Sequence, residues 1–382
     1  MQNRKEKLVL FIILFFLFIS IHMQFPVFTP LAVSLGAGSF LVGVMLSTTS
    51  FVNLTGNIVA GSYIDRFGAR LFIVIPLFLL TLSLFAHTFI EETAHLFILR
   101  VVNGFILAFL TPACMTMLAA YAKNSHEQSK NMAMNTLMVT LAMTIAPMLG
   151  GFLGERFGAD GAYYAISFTS GIAFILAFCF LSNPRTRNRR GKKSQGILQL
   201  FFYTPLLPVF LTGFAVMFAQ GTLMYELPFL SVEQGMTKGL VGRMAGVMGV
   251  GTLLVLAFVF IHRISATVRT IIGLCMLALA QCWMMMAGVV PPYASLLLFG
   301  AATGIIFPAM MTLVTENIGE GDRGKAFAFL SAVFSVGTIS APFIAGAVRT
   351  FLSPYYVSWL VLMVVITMMG LLLTTKRKAV VI

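Results

Sequence analysis

The chain of 382 residues is 59% hydrophobic and only 10% charged, with a mean hydropathy of +0.96. A typical soluble domain is about 45–50% apolar and roughly 25% charged, so this composition excludes a soluble fold and indicates a polytopic membrane protein. The formal net charge of +13 does not indicate nucleic acid, because the basic residues stand in short clusters between apolar segments. The four cysteines fall inside apolar runs without metal or redox spacing, and neither a metal site nor a cofactor is expected.

The chain contains twelve apolar runs long enough to cross about 30 Å of hydrocarbon as helices. The runs are continuous and do not alternate, which favours an all-α fold over membrane-spanning strands. The first run, from about Leu8 to Ala32, lacks a small-x-small cleavage site and is expected to remain as the first helix. The runs begin near Leu8, Phe40, Leu71, His95, Asn131, Gly161, Thr204, Leu240, Arg269, Ala294, Ala326 and Pro354.

The positions of Lys and Arg predict the orientation of the chain. With the N-terminus in the cytoplasm, 20 of the 25 Lys and Arg residues fall in cytoplasmic segments. Because positive residues concentrate on the cytoplasmic side of membrane proteins, both termini are predicted to be cytoplasmic. The chain is therefore expected to be a multi-pass protein of a cell membrane, surrounded by the lipid bilayer.

A repeat relates the two halves of the chain. The segments FLTPACMT and TIAPMLGG of the first half match IIFPAMMT and TISAPFIAG of the second, with Pro112 and Pro308 separated by 196 positions. The sequence predicts two homologous six-helix halves, 1–182 and 201–382, joined by a basic cytoplasmic linker at 183–200. Such paired halves are typical of transporters, with the substrate site near the midplane between them.

The stretch GSYIDRFGAR, between the second and third runs, concentrates three charges and two glycines in a chain with few charges. It resembles the signature G-x-L-a-D-r-x-G-r-k of the major facilitator superfamily, with Tyr63 and Ala69 as departures. The resemblance covers essentially the whole chain and implies that this stretch is a gating motif of alternating access, in which the carboxylate accepts charge-assisted hydrogen bonds. The matching residues are Gly61, Asp65, Arg66, Gly68 and Arg70.

A second segment, LFILRVVNG, resembles the fourth-helix motif of that family. Arg100 lies inside hydrocarbon, and Asn103 takes the usual Gln position. A charged side chain at this depth is costly unless it faces a cavity or a partner. The resemblance therefore implies a role for Arg100 in proton coupling.

A third segment, AMTIAPMLGG, resembles the antiporter signature of the family. Pro147, Gly150 and Gly151 match it, while Ala142 and Ala146 replace glycines. Small residues let helices approach closely, and proline bends a helix by removing one backbone hydrogen bond. This signature is characteristic of exporters that exchange substrate for protons.

Glu226, in LMYELPFL, is the clearest acidic residue within an apolar run. A buried carboxylate without a fixed cation suits reversible protonation, and Tyr-Glu at this place resembles proton-coupled drug exporters. His22 is the alternative carrier of the proton. The polar side chains expected to line a substrate cavity are Gln24, Asn103, Gln220 and Tyr225.

The leading hypothesis is a secondary active transporter that exports a small organic molecule, such as a drug, by antiport with protons. The alternatives are a dedicated exporter of an endogenous product such as a siderophore or sugar, an uptake symporter, and a transporter-like receptor. An enzyme is not expected, because no catalytic dyad or metal cluster stands out within the apolar runs. The resemblance also implies a monomer in the cytoplasmic membrane of a bacterium.

Overall fold

A computed structural model describes residues 2–122, 124–182, 206–258, 264–286, 289–319 and 323–380. The predicted linker, 183–200, lies outside these residues. Within them the regular structure is entirely helical, which confirms the predicted all-α class. The helices are α1 (Gln2–His22), α2 (Phe25–Ser34), α3 (Ser39–Phe67), α4 (Leu71–Ala86), α5 (Thr93–Ala120), α6 (Ser125–Phe180), α7 (Leu207–Glu233), α8 (Lys238–Ala257), α9 (Ala266–Met285), α10 (Pro292–Asn317), α11 (Arg323–Val348) and α12 (Pro354–Val380), with a 3-10 turn at His87–Phe89.

In the described part of the chain, eleven helical segments are long and apolar enough to cross a membrane. The sequence predicts twelve, and the difference lies in α6, which is broken at Gly158 (φ 75°, ψ −176°). Both ends of α6 lie beside the start of α1. The ammonium of Lys7 is 2.7 Å from Glu127, and the Ser182 hydroxyl donates to Glu6 over 2.8 Å. Thus α6 folds back on itself and supplies two crossings, so the structure is compatible with twelve.

The first predicted span is divided into two helices. α1 ends at His22 and α2 begins at Phe25. Pro26 has no N–H to donate to the carbonyl of His22, so the helical ladder is interrupted there. The Gln24 carbonyl accepts from the amides of Val27 and Phe28 and restarts the helix after the break. The two helices together still form one continuous crossing of 31 residues from Arg4 to Ser34.

The described residues form two compact units. One comprises 2–182 with Leu227–Gly249, and the other comprises 206–226 with 250–380. In the first unit, α6 packs against α1, α2 and α4, and α3 packs against α5. In the second unit, α9 packs against α10 and α12.

Small residues allow close helix crossings in each unit. In the first, a Cβ on Gly104 would clash with the backbone of Thr49 on α3. In the second, a Cβ on Gly221 of α7 would lie 2.8 Å from Ala341 of α11.

Candidate transport site and gating elements

The predicted gating motif forms the end of α3 and the turn to α4. Gly68 ends α3 with φ 88°, a conformation that residues with a Cβ rarely adopt, and this lets the chain reverse direction. Arg70 donates a hydrogen bond of 3.0 Å to the carbonyl of Phe178 at the end of α6. Arg66 lies over the ring of Phe67, with 5.2 Å to its centroid. The motif therefore ties the α3–α4 turn to the end of α6.

Asp65, the carboxylate of this motif, is exposed, and among the described residues it forms no ion pair. Gly61 has no atom within 4 Å of the position that a Cβ would occupy. Both residues are therefore exposed on the described surface.

The predicted antiporter motif lies at two close helix contacts. A Cβ on Gly150 would clash with the carbonyl of Met23, at the break between α1 and α2. A Cβ on Gly151 would clash with the carbonyl of Lys238 at the start of α8. The motif thus brings the α6 backbone against both the α1–α2 break and α8.

The contact between α6 and α8 continues along three glycines of α8. We call this contact the α6–α8 seam, and it consists of Gly242, Gly246 and Gly249 of α8 packed against Thr144, Pro147, Met148 and Gly151 of α6. A Cβ on Gly242 would clash with the carbonyl of Pro147, while Gly246 lies beside the Met148 side chain and Gly249 beside Thr144. The three glycines recur at intervals of four and three residues, so they share one face of α8. Each is buried, and any side chain there would push the helices apart.

At one end of the seam, Glu155 of α6 caps the N-terminus of α8. Its Oε2 accepts a hydrogen bond of 3.0 Å from the Gly239 amide, while Thr237 accepts one from the Leu240 amide. The first amides of a helix have no partner within the helix, and the helix dipole favours a carboxylate there. Glu155 therefore adds a charge-assisted contact to a seam in which the α8 glycines otherwise pack on backbone and uncharged side chains.

Glu226 is buried in α7, in the second unit, and it has a cationic partner. Arg349, just after the end of α11, donates from Nε to Glu226 Oε2 over 3.0 Å. The side chains of Arg349 and Glu226 are only 10% and 4% exposed. The structure thus corrects the expectation that no fixed cation accompanies Glu226. Protonation of Glu226 would remove the negative charge and with it the attraction between α7 and the end of α11.

Two buried tyrosines belong to the same unit as this pair. Tyr225, on α7, is completely buried. Tyr355, on α12, is 1% exposed, and its hydroxyl has no hydrogen-bond partner among the described atoms.

Arg100 is buried in α5, in the first unit, with 7% exposure. Its guanidinium carbon lies 3.5 Å from the centroid of the Phe28 ring, and Nη2 is 3.5 Å from the hydroxyl of Tyr163. A desolvated cation–π contact contributes about 2 kcal/mol or more, which offsets part of the cost of burying the charge. His87 stacks on Tyr163 with ring centroids 4.5 Å apart.

The other predicted cavity residues are divided between the units. Gln24 and Asn103 are buried in the first, at 9% and 3% exposure. His22, also in the first, is partly exposed and stacks on Phe18. Gln220, in the second unit, is partly exposed.

A separate polar cluster joins three helix ends of the first unit. Glu6 accepts hydrogen bonds from Tyr121 over 2.9 Å and from Ser182 over 2.8 Å. Burial raises the pKa of the Tyr121 phenol above its usual value of 10, and the hydrogen bond to Glu6 and its negative charge raise it further. The cluster holds the start of α1 against the ends of α5 and α6.

Sequence reasoning missed several of these contacts. Arg349 falls between two apolar runs, and its pairing with Glu226 spans 123 positions, which no local pattern reveals. Glu155, His87 and Tyr163 lie near helix ends or breaks, where hydrophobic periodicity carries little information. The only signal in the sequence was the occurrence of polar residues within or beside the apolar runs.

The sequence matches the family model of the Major Facilitator Superfamily over residues 10–296 and 269–380. Multidrug resistance protein 1 of Bacillus subtilis (strain 168) is 25% identical over 352 residues, 87% of each chain. The multi-drug resistance efflux pump PmrA of Streptococcus pneumoniae is 23% identical over 350 residues, 86% of this chain and 85% of that protein. The crystal structure of a mutant of the nucleoside transporter NupG superimposes with a TM-score of 0.78 at 14% identity, covering 96% of this chain and 99% of that one. The chain is a multi-pass membrane transporter that belongs to the Major Facilitator Superfamily.

Proposed function

We propose that this transporter exports small organic molecules in exchange for protons, and that Glu226 carries the coupling proton. The observation that carries the proposal is the buried ion pair of Glu226 with Arg349, 3.0 Å apart and nearly closed to solvent. An ionisable group in a membrane-spanning segment is a functional candidate by default. The names of the two relatives, a multidrug resistance protein and an efflux pump, support export as the direction.

The ion pair suits a proton switch because its two partners lie on different structural elements. With Glu226 charged, the pair holds α7 against the end of α11. With Glu226 protonated, the Coulomb attraction is lost and the two elements can separate. A bound proton thereby changes the relative free energy of two arrangements of the same helices, as coupling requires.

Arg100 does not exchange the coupling proton in this scheme, because a guanidinium stays protonated in proteins. Its role is electrostatic, through the positive charge that it places in the first unit. The α6–α8 seam has a mechanical role. Its glycines pack on backbone and uncharged side chains of α6, so its opening and closing would break only one charged contact that the structure shows there, that of Glu155 with the Gly239 amide.

Reconstituted protein provides the test. Proteoliposomes with an internal pH dye and an imposed pH gradient would receive ethidium, a lipophilic aromatic cation. We expect ethidium-dependent proton movement in the parent protein, its loss in Glu226→Gln, and its retention in Glu316→Gln. Glu316 is an exposed carboxylate on α10 and serves as the matched control.

The outcomes separate the alternatives. Proton movement that survives in Glu226→Gln assigns the proton to another group, with His22 as the next candidate. Ethidium that binds the protein but moves no protons refutes antiport of this probe. Protons that move together with an endogenous sugar or siderophore, and never with ethidium, favour a dedicated carrier.

A further inference from the structure

The core of the first unit contains a positive charge that no described carboxylate balances. Arg100 is buried, its guanidinium contacts the neutral hydroxyl of Tyr163 at 3.5 Å, and no described carboxylate is within ion-pair distance. Its Nε is buried and has no hydrogen-bond partner among the described atoms. Because the Phe28 ring covers one face of the guanidinium, the N–H groups at its edge are what it offers to a ligand.

A second unpaired donor lies one helical turn away. Asn103 follows Arg100 by three positions on α5, so the two side chains share a face. The Ser83 hydroxyl donates to Asn103 Oδ1 over 2.8 Å, which leaves the Nδ2 amide buried without a partner in the described part of the chain. The amide orientation is set by that bond, and it directs both amide hydrogens away from Ser83.

His87 closes the same region from the end of α4. Its Nδ1 lies 2.7 Å from the carbonyl of Ser83, so Nδ1 must carry the proton. Its Nε2 is then an acceptor, buried and without a partner among the described residues. His87 and Tyr163 are therefore walls of the region and do not supply further positive charge in this tautomer.

We propose that Arg100 and Asn103 bind one compact monovalent anion, of halide or carboxylate size, in the core of the first unit. The guanidinium supplies the charge and a donor at Nε, and the Asn103 amide supplies a second donor. Water alone could satisfy the donors but would leave the charge unbalanced, and unpaired charge is the larger cost in a low-dielectric interior. The proposal concerns equilibrium binding and does not depend on the proton coupling of Glu226.

Anion-dependent thermal stability tests the proposal. The purified transporter would be unfolded by heat in detergent, at constant ionic strength and pH. Its Tm in chloride, bromide or acetate would be compared with its Tm in a bulky sulfonate, which serves as the reference anion. We expect a saturable rise in Tm with the compact anions, on the order of 5 °C at a hundredfold excess over Kd. A response to halides identifies an inorganic ion site, while a response to acetate alone identifies a site for an organic carboxylate.

Three variants assign the effect to this region. Arg100→Gln should abolish the rise in Tm. Asn103→Asp should abolish it too and should raise Tm in the sulfonate buffer, because the new carboxylate lies one turn from Arg100 and replaces the anion. Arg349→Gln is the matched control, since it removes a buried arginine that already has a carboxylate partner, and it should retain the rise.

Several results would overturn the proposal. These are the absence of a saturable shift with any compact anion, a shift that persists in Arg100→Gln, and a shift that persists undiminished in Asn103→Asp. If Arg100→Gln fails to fold, Arg100→Lys keeps the charge but loses the planar donor edge. This variant should weaken apparent anion affinity severalfold, and an unchanged affinity would count against the site.

Discussion

The ion pair of Glu226 with Arg349 allows a quantitative prediction. At 3.0 Å, two unit charges attract by about 5–6 kcal/mol at an effective dielectric constant of about 20. Desolvation offsets much of this attraction, but removal of one partner of a buried ion pair costs about 3–5 kcal/mol. Arg349 lies at a helix end with 10% exposure and can reach water, so we expect the lower part of this range.

The assay is a double-mutant cycle on unfolding in mixed micelles at pH 7. We expect Glu226→Gln and Arg349→Gln each to lower the free energy of unfolding by about 3 kcal/mol. The double variant should cost about the same as either single one, which gives a coupling energy of about 3 kcal/mol.

The control cycle combines Arg349→Gln with Glu316→Gln. Glu316 is an exposed carboxylate of the same unit, so its substitution should add independently, within about 0.5 kcal/mol. A coupling energy of only about 0.5 kcal/mol in the Glu226–Arg349 cycle would refute the reasoning, because it would mean that the two charges do not act on each other in the folded protein.

Three other predictions concern the first unit. Gly151→Leu should open the α6–α8 seam, because the leucine side chain would occupy the position of the α8 backbone. We expect thermal unfolding to show a Tm lower by several degrees and vesicle uptake to show loss of transport. Glu155→Gln should cost about 0.3–1 kcal/mol in unfolding free energy through loss of the charged cap, with a smaller effect at high salt; no salt dependence would contradict the cap. The folded protein holds the Tyr121 proton more tightly than the unfolded chain does. The contribution of the Tyr121–Glu6 pair to the free energy of unfolding should therefore be complete below pH 10 and fall above it. Tyr121→Phe should remove this fall, and phenolate absorbance would follow the titration.

The approximate start of several membrane crossings could be predicted because lipid imposes a simple requirement. A crossing needs about 20 apolar residues whatever its neighbours are, so the runs beginning near Phe40 and Leu71 correspond to α3 and α4. Breaks inside the runs could not be located in the same way. Pro26 signals a possible interruption, but Pro112 lies inside the unbroken α5, so proline alone does not decide.

The candidate site was predictable only in part, for a similar reason. Motif spacing identified Gly150 and Gly151 as close-packing positions, and the structure places backbone carbonyls directly against them. The partners themselves, Met23 and Lys238, are remote in sequence and carry no pattern of their own. Likewise, the burial of Glu226 follows from its apolar context, whereas its ion pair depends on how α7 lies against the end of α11.

The fold-back of α6 at Gly158 has a consequence for biogenesis. The reversal is a single residue, and three exposed charges lie around it: Glu155, Arg156 and Asp160. Moving each charged residue through the bilayer centre is unfavourable by about 2.5–3.5 kcal/mol on insertion scales. If one arm of α6 were inserted alone, the apolar residues of the other arm would stay exposed to water, because α6 is largely apolar on both sides of Gly158. With both termini in the cytoplasm, as the sequence predicts, the tip would have to cross the bilayer. We then expect the two arms to enter the membrane together as a helical hairpin, whose apolar surface offsets the cost of translocating the charged tip.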